Sequence, residues 1–269
     1  VSDETEAEAP TTGWRGALRP FLTGVMFLTR IPCPAWVGHD SEYLARSTVW
    51  FPLIGALIGA WGGAFYLLGR MGWEAAVVAV LLSTVATVWL TGAFHEDALA
   101  DACDGFGGGW SKDDILRIMK DSRVGSYGVA GLVLVMGLKV AALSALSPGD
   151  ALRALVAAHV LGRWSSLPLI WRYEYVRESD AKGKPFAASV TPMRLIVGSA
   201  MAAVLVGATL GMRAIPAAAA VLAVTWIGGR YFKRWIGGIT GDCLGAANQV
   251  AEMAVYLVLA FHPQRIPFG

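Results

Sequence analysis

The stretch FHEDALADACDG, residues 94–105, places four carboxylates, Glu96, Asp97, Asp101 and Asp104, within nine positions. Hard oxygen donors at that density suit magnesium, which one or two carboxylates can hold while substrate phosphates take the open positions. If the stretch is helical, residues 97, 101 and 104 stand at i, i+4 and i+7, within about 60° of arc, so three aspartates share one face and are expected to hold the metal together. Glu96 points about 100° away and joins a metal set only if the helix end frays. Gly105, Gly107, Gly108 and Gly109 end the helix, where its dipole disfavours negative charge. Like charges four apart add a further cost of roughly 0.2–0.5 kcal/mol per pair. A solvated acidic face would tolerate this; so would a site that a cation, and then a phosphorylated substrate, completes. His95 adjoins the cluster with an ordinary pKa near neutrality, which suits a proton acceptor.

Other segments carry complementary groups. In SKDDILRIMKDSRVGSYG, Asp121 and Arg123 precede the Gly125 and Gly128 turn and could reach the same polar pocket. RYEYVRESDAKGKPF supplies Arg172, Arg177, Lys182 and Lys184; Arg177, with Gly183 and Phe186 nearby, suits a phosphate fork on a loop. GRYFKRW adds Arg230, Lys233 and Arg234. TGDCLGAANQVAE puts Asp242 at a helix start, where its charge is favoured, with Gln249 two turns on. Glu252 and Arg163 fall at similar depths inside apolar segments, and an intramembrane acid is by default paired or functional, so these two are expected to pair.

The elements that must position these residues are membrane helices. The 269-residue chain is 55% hydrophobic and 16% charged, against about 25% charged in a soluble domain. Seven segments approach the roughly 20 apolar residues a span requires: 49–69, 75–94, 125–147, 151–171, 194–212, 214–229 and 241–261. The second is expected to run on into the acidic motif, the sixth to be short, tilted or re-entrant, and 21–28 to be interfacial. Threading seven spans puts 30–48, 95–124, 172–194 and 230–240 on one side with fourteen Lys and Arg. The other side holds Arg70, Arg153, Arg213 and Arg265, so the base-rich side is cytoplasmic. Ser111 and Asp114 have capping-box spacing ahead of an apolar stripe, which predicts a short amphipathic cytoplasmic helix on the membrane surface. Gly55 with Gly59, Gly207 with Gly211, and Gly241 with Gly245 have the spacing of close helix crossings. Residues 1–12 read as a disordered acidic tail, and 13–269 as a single all-α transmembrane catalytic domain. Cys33, Cys103 and Cys243 suggest neither a zinc site nor a disulfide framework, only small buried residues, and a net charge of +2 implies no nucleic-acid partner.

Taken together, FLTRIP, STVWFPLIGALIG, FHEDALADACDG, IMKDSRVGSYG, YVRESDAKGKPF and TGDCLGAANQVAE resemble, in order, the motifs of the cobalamin synthases, or adenosylcobinamide-GDP ribazoletransferases. The resemblance runs from about residue 21 to 252. It implies a multi-pass protein of the bacterial inner membrane with its active site facing the cytoplasm. The implied reaction joins adenosylcobinamide-GDP to α-ribazole, or its 5′-phosphate, giving adenosylcobalamin, or its phosphate, and GMP, with Mg2+ as cofactor. Homodimerisation is compatible with it. His95, Asp97, Leu99, Asp101 and Asp104 match the acidic motif, Asp121, Arg123, Gly125 and Gly128 the second, and Asp242 and Gly245 the last. Ala98 stands where the family usually has Gly, and the loop from Ser179 to Lys184 departs from the common form. A CDP-alcohol phosphatidyltransferase or prenyltransferase also binds diphosphates through aspartates near span ends, and a cation carrier would use intramembrane Lys139, Arg163 and Glu252.

Overall fold

A computed structural model describes residues 13–176 and 190–261. Residues 1–12, 177–189 with Arg177, Lys182 and Lys184, and 262–269 with Arg265 lie outside them. Eleven α-helices are described: α1 Trp14–Leu28, α2 Ser41–Ser47, α3 Phe51–Gly72, α4 Ala76–Thr91, α5 Phe94–Gly108, α6 Lys112–Ile118, α7 Ser126–Ser144, α8 Pro148–Arg172, α9 Pro192–Leu210, α10 Ala214–Ile236 and α11 Gly241–Ala260. No strand occurs among the described residues, only one parallel bridge between Tyr175 and Ile239.

All seven expected spans are helical, but four helical stretches are long and apolar enough to cross a membrane by themselves: Ser41–Gly72, Ser126–Ser144, Pro192–Ile236 and Gly241–Ala260. The bent pair α4 and α5 would make a fifth. The 25-residue α8 is long enough but too polar, because it sits in the middle of the bundle and shows lipid little of itself. His159, Arg163, Ser165 and Ser166 on it are buried against α3, α9 and α11. α9 and α10 are separated by a 3-10 turn over Gly211–Arg213 that opens at Gly211 with φ +57°. α10 reaches Ile236, so GRYFKRW lies on a helix, not in the expected loop, and the sixth span is not short.

Glycine decides where the central helices touch. A Cβ on Gly55 would fall 2.2 Å from the His159 carbonyl oxygen, and one on Gly59 2.6 Å from that of Leu155, so α3 and α8 cross in backbone contact. Gly207 faces open space within the chain, and Gly211 serves the turn, so that expected pair is not a packing seam. Of the three cysteines only Cys243 is buried; Cys33 and Cys103 are half-buried.

Four links draw the base-rich segments to one end of the bundle. The Arg30 N–H donates to Leu90 O over 2.7 Å, Arg194 Nη1 to Ala45 O over 3.3 Å, and Val176 N–H to Ile239 O over 3.0 Å. The Thr240 hydroxyl meets Met119 Sδ at 4.0 Å. At the opposite end Arg213 pairs with Asp150 over 3.0 Å and donates to Leu259 O over 2.7 Å.

Candidate active site

The acidic motif does not continue α4. Gly92 and Ala93 both adopt left-handed conformation, with φ +69° and +58°, and the chain turns 89° into α5. The Gly92 and Ala93 N–H groups close the end of α4 on Trp89 O and Val88 O, and the Arg30 N–H takes the Leu90 carbonyl. The Val88, Trp89 and Leu90 carbonyls that the break frees therefore keep partners. Arg30 packs so closely that a Cβ on Gly92 would lie 2.3 Å from its Nε. One consequence reverses the expected electrostatics: Glu96 and Asp97 occupy the first turn of α5, where the helix dipole favours them. Only Asp104, nearer the C-terminal end of α5, keeps a less favourable position.

The three aspartates of the shared face meet different surroundings. Asp97 is exposed, Asp101 half-buried and Asp104 buried. Asp104 accepts the Gly125 N–H at Oδ2 over 2.6 Å and the Gly128 N–H at Oδ1 over 2.8 Å. Its carboxylate thus caps α7, whose first N–H groups have no partner within the helix. The approach requires glycine: a Cβ on Gly125 would lie 2.4 Å from Asp104 Oδ1, and one on Gly128 2.4 Å from Oδ2 and 3.0 Å from Ala100 O.

Glu96 turns inward, where its Oε1 accepts from Gln249 Nε2 over 3.0 Å and its Oε2 is buried without a hydrogen-bond partner. His95 is 4% exposed, with Nδ1 likewise unpartnered. Both lie on the side of α5 that packs against α11, away from the Asp97 side. There Gly245 brings α11 so near that an added Cβ would sit 2.3 Å from Ala98 Cβ. Small residues on both helices make that crossing, which is why Ala98 can stand where the resemblance expects Gly.

Behind α5 lies a polar cluster inside the bundle. Glu252, fully buried, pairs with Lys139 through Oε2 at 2.6 Å and with Arg163 through Oε1; His159 Nδ1 lies 2.9 Å from the same Oε1. Lys139 Nζ also donates to Gln249 Oε1 over 2.7 Å, so Gln249 joins this cluster to Glu96. The expected pairing of Glu252 with Arg163 is present, and it occupies Arg163 in the bundle core, not at an open face. His159 and Gln249 are members that sequence reading did not assign; for His159 the available signal was its i, i+4 spacing from Arg163 on α8.

At the base-rich end, Ser111 caps α6 as predicted, accepting the Asp114 N–H over 3.2 Å and donating to Asp114 Oδ2 over 2.8 Å. The apolar stripe of α6 meets α5: Ile115 and Met119 are buried, and a Cβ on Gly105 would touch Met119 Cγ at 2.5 Å. Asp121 holds Arg123 through Nε at 2.9 Å and Nη2 at 2.6 Å, and also accepts its N–H over 3.1 Å. Those hydrogen bonds hold the exposed Asp121 carboxyl well below its ordinary 3.8, at about 2, and raise Arg123 further. Asp242 is half-buried in the first turn of α11. Arg177 lies outside the described residues.

Among the described residues no three His, Cys, Asp or Glu side chains stand close enough to hold an ion together. The donor chemistry nevertheless fits magnesium in its usual protein setting, one or two carboxylates with phosphate oxygens and water completing the shell. Asp97 and Asp101 stand one turn apart on the accessible side of α5.

Residues 20–260 match the family described as cobalamin-5-phosphate synthase. Three curated relatives carry the name adenosylcobinamide-GDP ribazoletransferase. The protein from Leptothrix cholodnii is 43% identical over 248 residues, covering 89% of this chain and 94% of its own. That from Shewanella frigidimarina is 42% identical over 250 residues, covering 91% and 95%. That from Ralstonia nicotianae is 43% identical over 252 residues, covering 91% and 96%. No solved structure matches.

Proposed function

The chain belongs to the cobalamin-5-phosphate synthase family, and from that premise we propose that it transfers the adenosylcobinamide phosphate of adenosylcobinamide-GDP to α-ribazole or its 5′-phosphate, releasing GMP. The observation that carries the reading is the extent of the likeness. It spans the whole helical bundle, so α5 and the glycines that let α7 and α11 close on it belong to the matched region.

In this reading the 3′-hydroxyl of α-ribazole attacks the phosphorus bearing cobinamide in line with the departing GMP. One O–P bond forms as the bond to GMP breaks, and the hydroxyl proton passes to water or to the departing GMP phosphate. Asp97 and Asp101 would hold magnesium against the diphosphate. Bound there, it would neutralise charge on the phosphoryl oxygens as GMP leaves. Asp121 pre-aims the Arg123 guanidinium, and a fixed guanidinium fork suits the phosphate oxygens. Asp104 does its work one step back, fixing the start of α7 against α5. His95 is sealed on the inner face, so we assign it to packing against α11 and give it no proton to move. The base-rich end, which carries all of these groups but His95, would face the cytoplasm by the positive-inside rule.

The test is GMP release from adenosylcobinamide-GDP by the purified chain with α-ribazole, with and without magnesium, beside CDP-alcohols and prenyl diphosphates. Magnesium-dependent GMP release from the first substrate alone is expected. Turnover of a CDP-alcohol or prenyl diphosphate in its place would overturn the assignment.

A further inference from the structure

A second recess opens at the base-rich end, apart from the acidic side of α5. Arg172 and Tyr173 at the end of α8 line it with Arg230, Tyr231, Lys233 and Arg234 of α10, around a volume of about 530 Å³. Its walls are built by packing: the Tyr173 ring rests on Gly229, where a Cβ would come within 2.4 Å of it, and Tyr231 stands edge-on to Phe106 of α5 at 5.1 Å. Four cationic side chains share this space, and among the described residues no carboxylate forms an ion pair with any of them.

The outer surface of α10 indicates what lies beside the recess. Ile215, Leu222, Trp226 and Ile227 are each more than half exposed, a lipid-facing surface on a helix of this hydropathy. The Arg230 guanidinium lies 5.0 Å from the Trp226 ring centroid, and Lys233 and Arg234 follow one turn later. Exposed Trp171 and Trp235 flank the same end. The order along the helix, apolar, then aromatic, then cationic, is the order of hydrocarbon, interface and headgroup across a leaflet.

We propose that this recess binds the headgroup phosphate of an anionic phospholipid. Basic pockets between membrane helices at the cytoplasmic surface take such headgroups. Guanidinium groups pair with phosphodiester oxygens, and the two tyrosine hydroxyls offer further donors. A soluble nucleotide would present the same anion. It would leave unexplained the apolar surface directly below the bases, which an acyl chain covers. The site does not depend on the transfer reaction proposed above.

The experiment is native mass spectrometry of the full chain in detergent, titrated separately with dioleoyl phosphatidylglycerol, dioleoyl phosphatidylcholine and GDP. The wild-type chain is expected to retain phosphatidylglycerol selectively, with GDP not displacing it. Arg230→Gln with Lys233→Gln is expected to weaken that lipid about five-fold for each base removed, leaving phosphatidylcholine unchanged. Equal binding of the two lipids by the wild type would overturn the proposal without reference to any variant. Displacement of phosphatidylglycerol by GDP would reassign the recess to a nucleotide, and undiminished lipid affinity in a folded double variant would place the lipid elsewhere.

Discussion

At the scale of single residues, three aspartates that share one helix face differ in exposure. Asp97 and Asp101 remain toward solvent, and neutralising either, as Asp97→Asn or Asp101→Asn, should remove most turnover while the protein still purifies folded; near-normal GMP release by both would rule out the metal role. Asp104 is committed to two backbone N–H groups, so its neighbourhood should fail through stability. Gly128→Ala forces a methyl against Asp104 Oδ2 and Ala100 O. An overpacking cost of about 1–3 kcal/mol is expected, seen as a lower melting temperature in detergent. The Asp121 fork makes a titration prediction. Its folded pKa of about 2 lies below the ordinary 3.8, so whatever it contributes is complete above 3.8 and lost as pH falls from there through about 2. Both groups are exposed, so solvent screens the pair and its contribution to stability is small. A selectively labelled Asp121 carboxyl should titrate near 2 in the wild type and return toward 3.8 in Arg123→Ala; an unmoved midpoint would contradict the hydrogen-bonded fork.

At the scale of elements, the turn between α4 and α5 sets the direction of the acidic face. Two consecutive left-handed residues do this, and one of them, Ala93, carries a side chain that disfavours the conformation. Ala93→Gly should therefore stabilise the fold by about 1 kcal/mol, less whatever entropy the unfolded chain regains, with activity retained. A fall in melting temperature would show that the methyl packs favourably enough to offset its backbone cost. The left-handed pair was not legible beforehand, because Gly-Ala inside an apolar run reads as helix. The capping of α6 was legible, since Ser111 and Asp114 act across three residues. The destination of its apolar stripe was not: a stripe says that something covers it, and here α5 does.

At the scale of the whole molecule, an ion cluster ties α7, α8 and α11 together at their centres and reaches α5 through Gln249 and Glu96. Removing Glu252, the one fully buried acid among the described residues, strands Lys139 and Arg163 among apolar helices. Glu252→Gln is expected to cost about 3–5 kcal/mol, measured as loss of thermal stability in detergent, because an unpaired buried charge is far worse than a buried pair. Unchanged stability would mean that water or lipid headgroups reach these bases. The same cluster explains why α8 is polar while sitting at the centre: His159, Arg163, Ser165 and Ser166 on it are buried against other helices.

Sequence alone determined the all-helical membrane architecture, the family resemblance, the segments that gather at one end and the pairing of Glu252 with Arg163. Each follows from local periodicity, from charge counted along the chain, or from the cost of leaving a charge alone among apolar helices. Tertiary structure alone decided that α5 leaves the line of α4, that Glu96 and His95 face inward, that Asp104 caps α7, and that Gly55 and Gly59 pack while Gly207 does not. Those outcomes depend on which surfaces meet between separate segments, from 21 residues apart for Asp104 and Gly125 to 153 for Glu96 and Gln249, and a side chain's partner there is chosen by packing, which spacing along one chain segment does not encode.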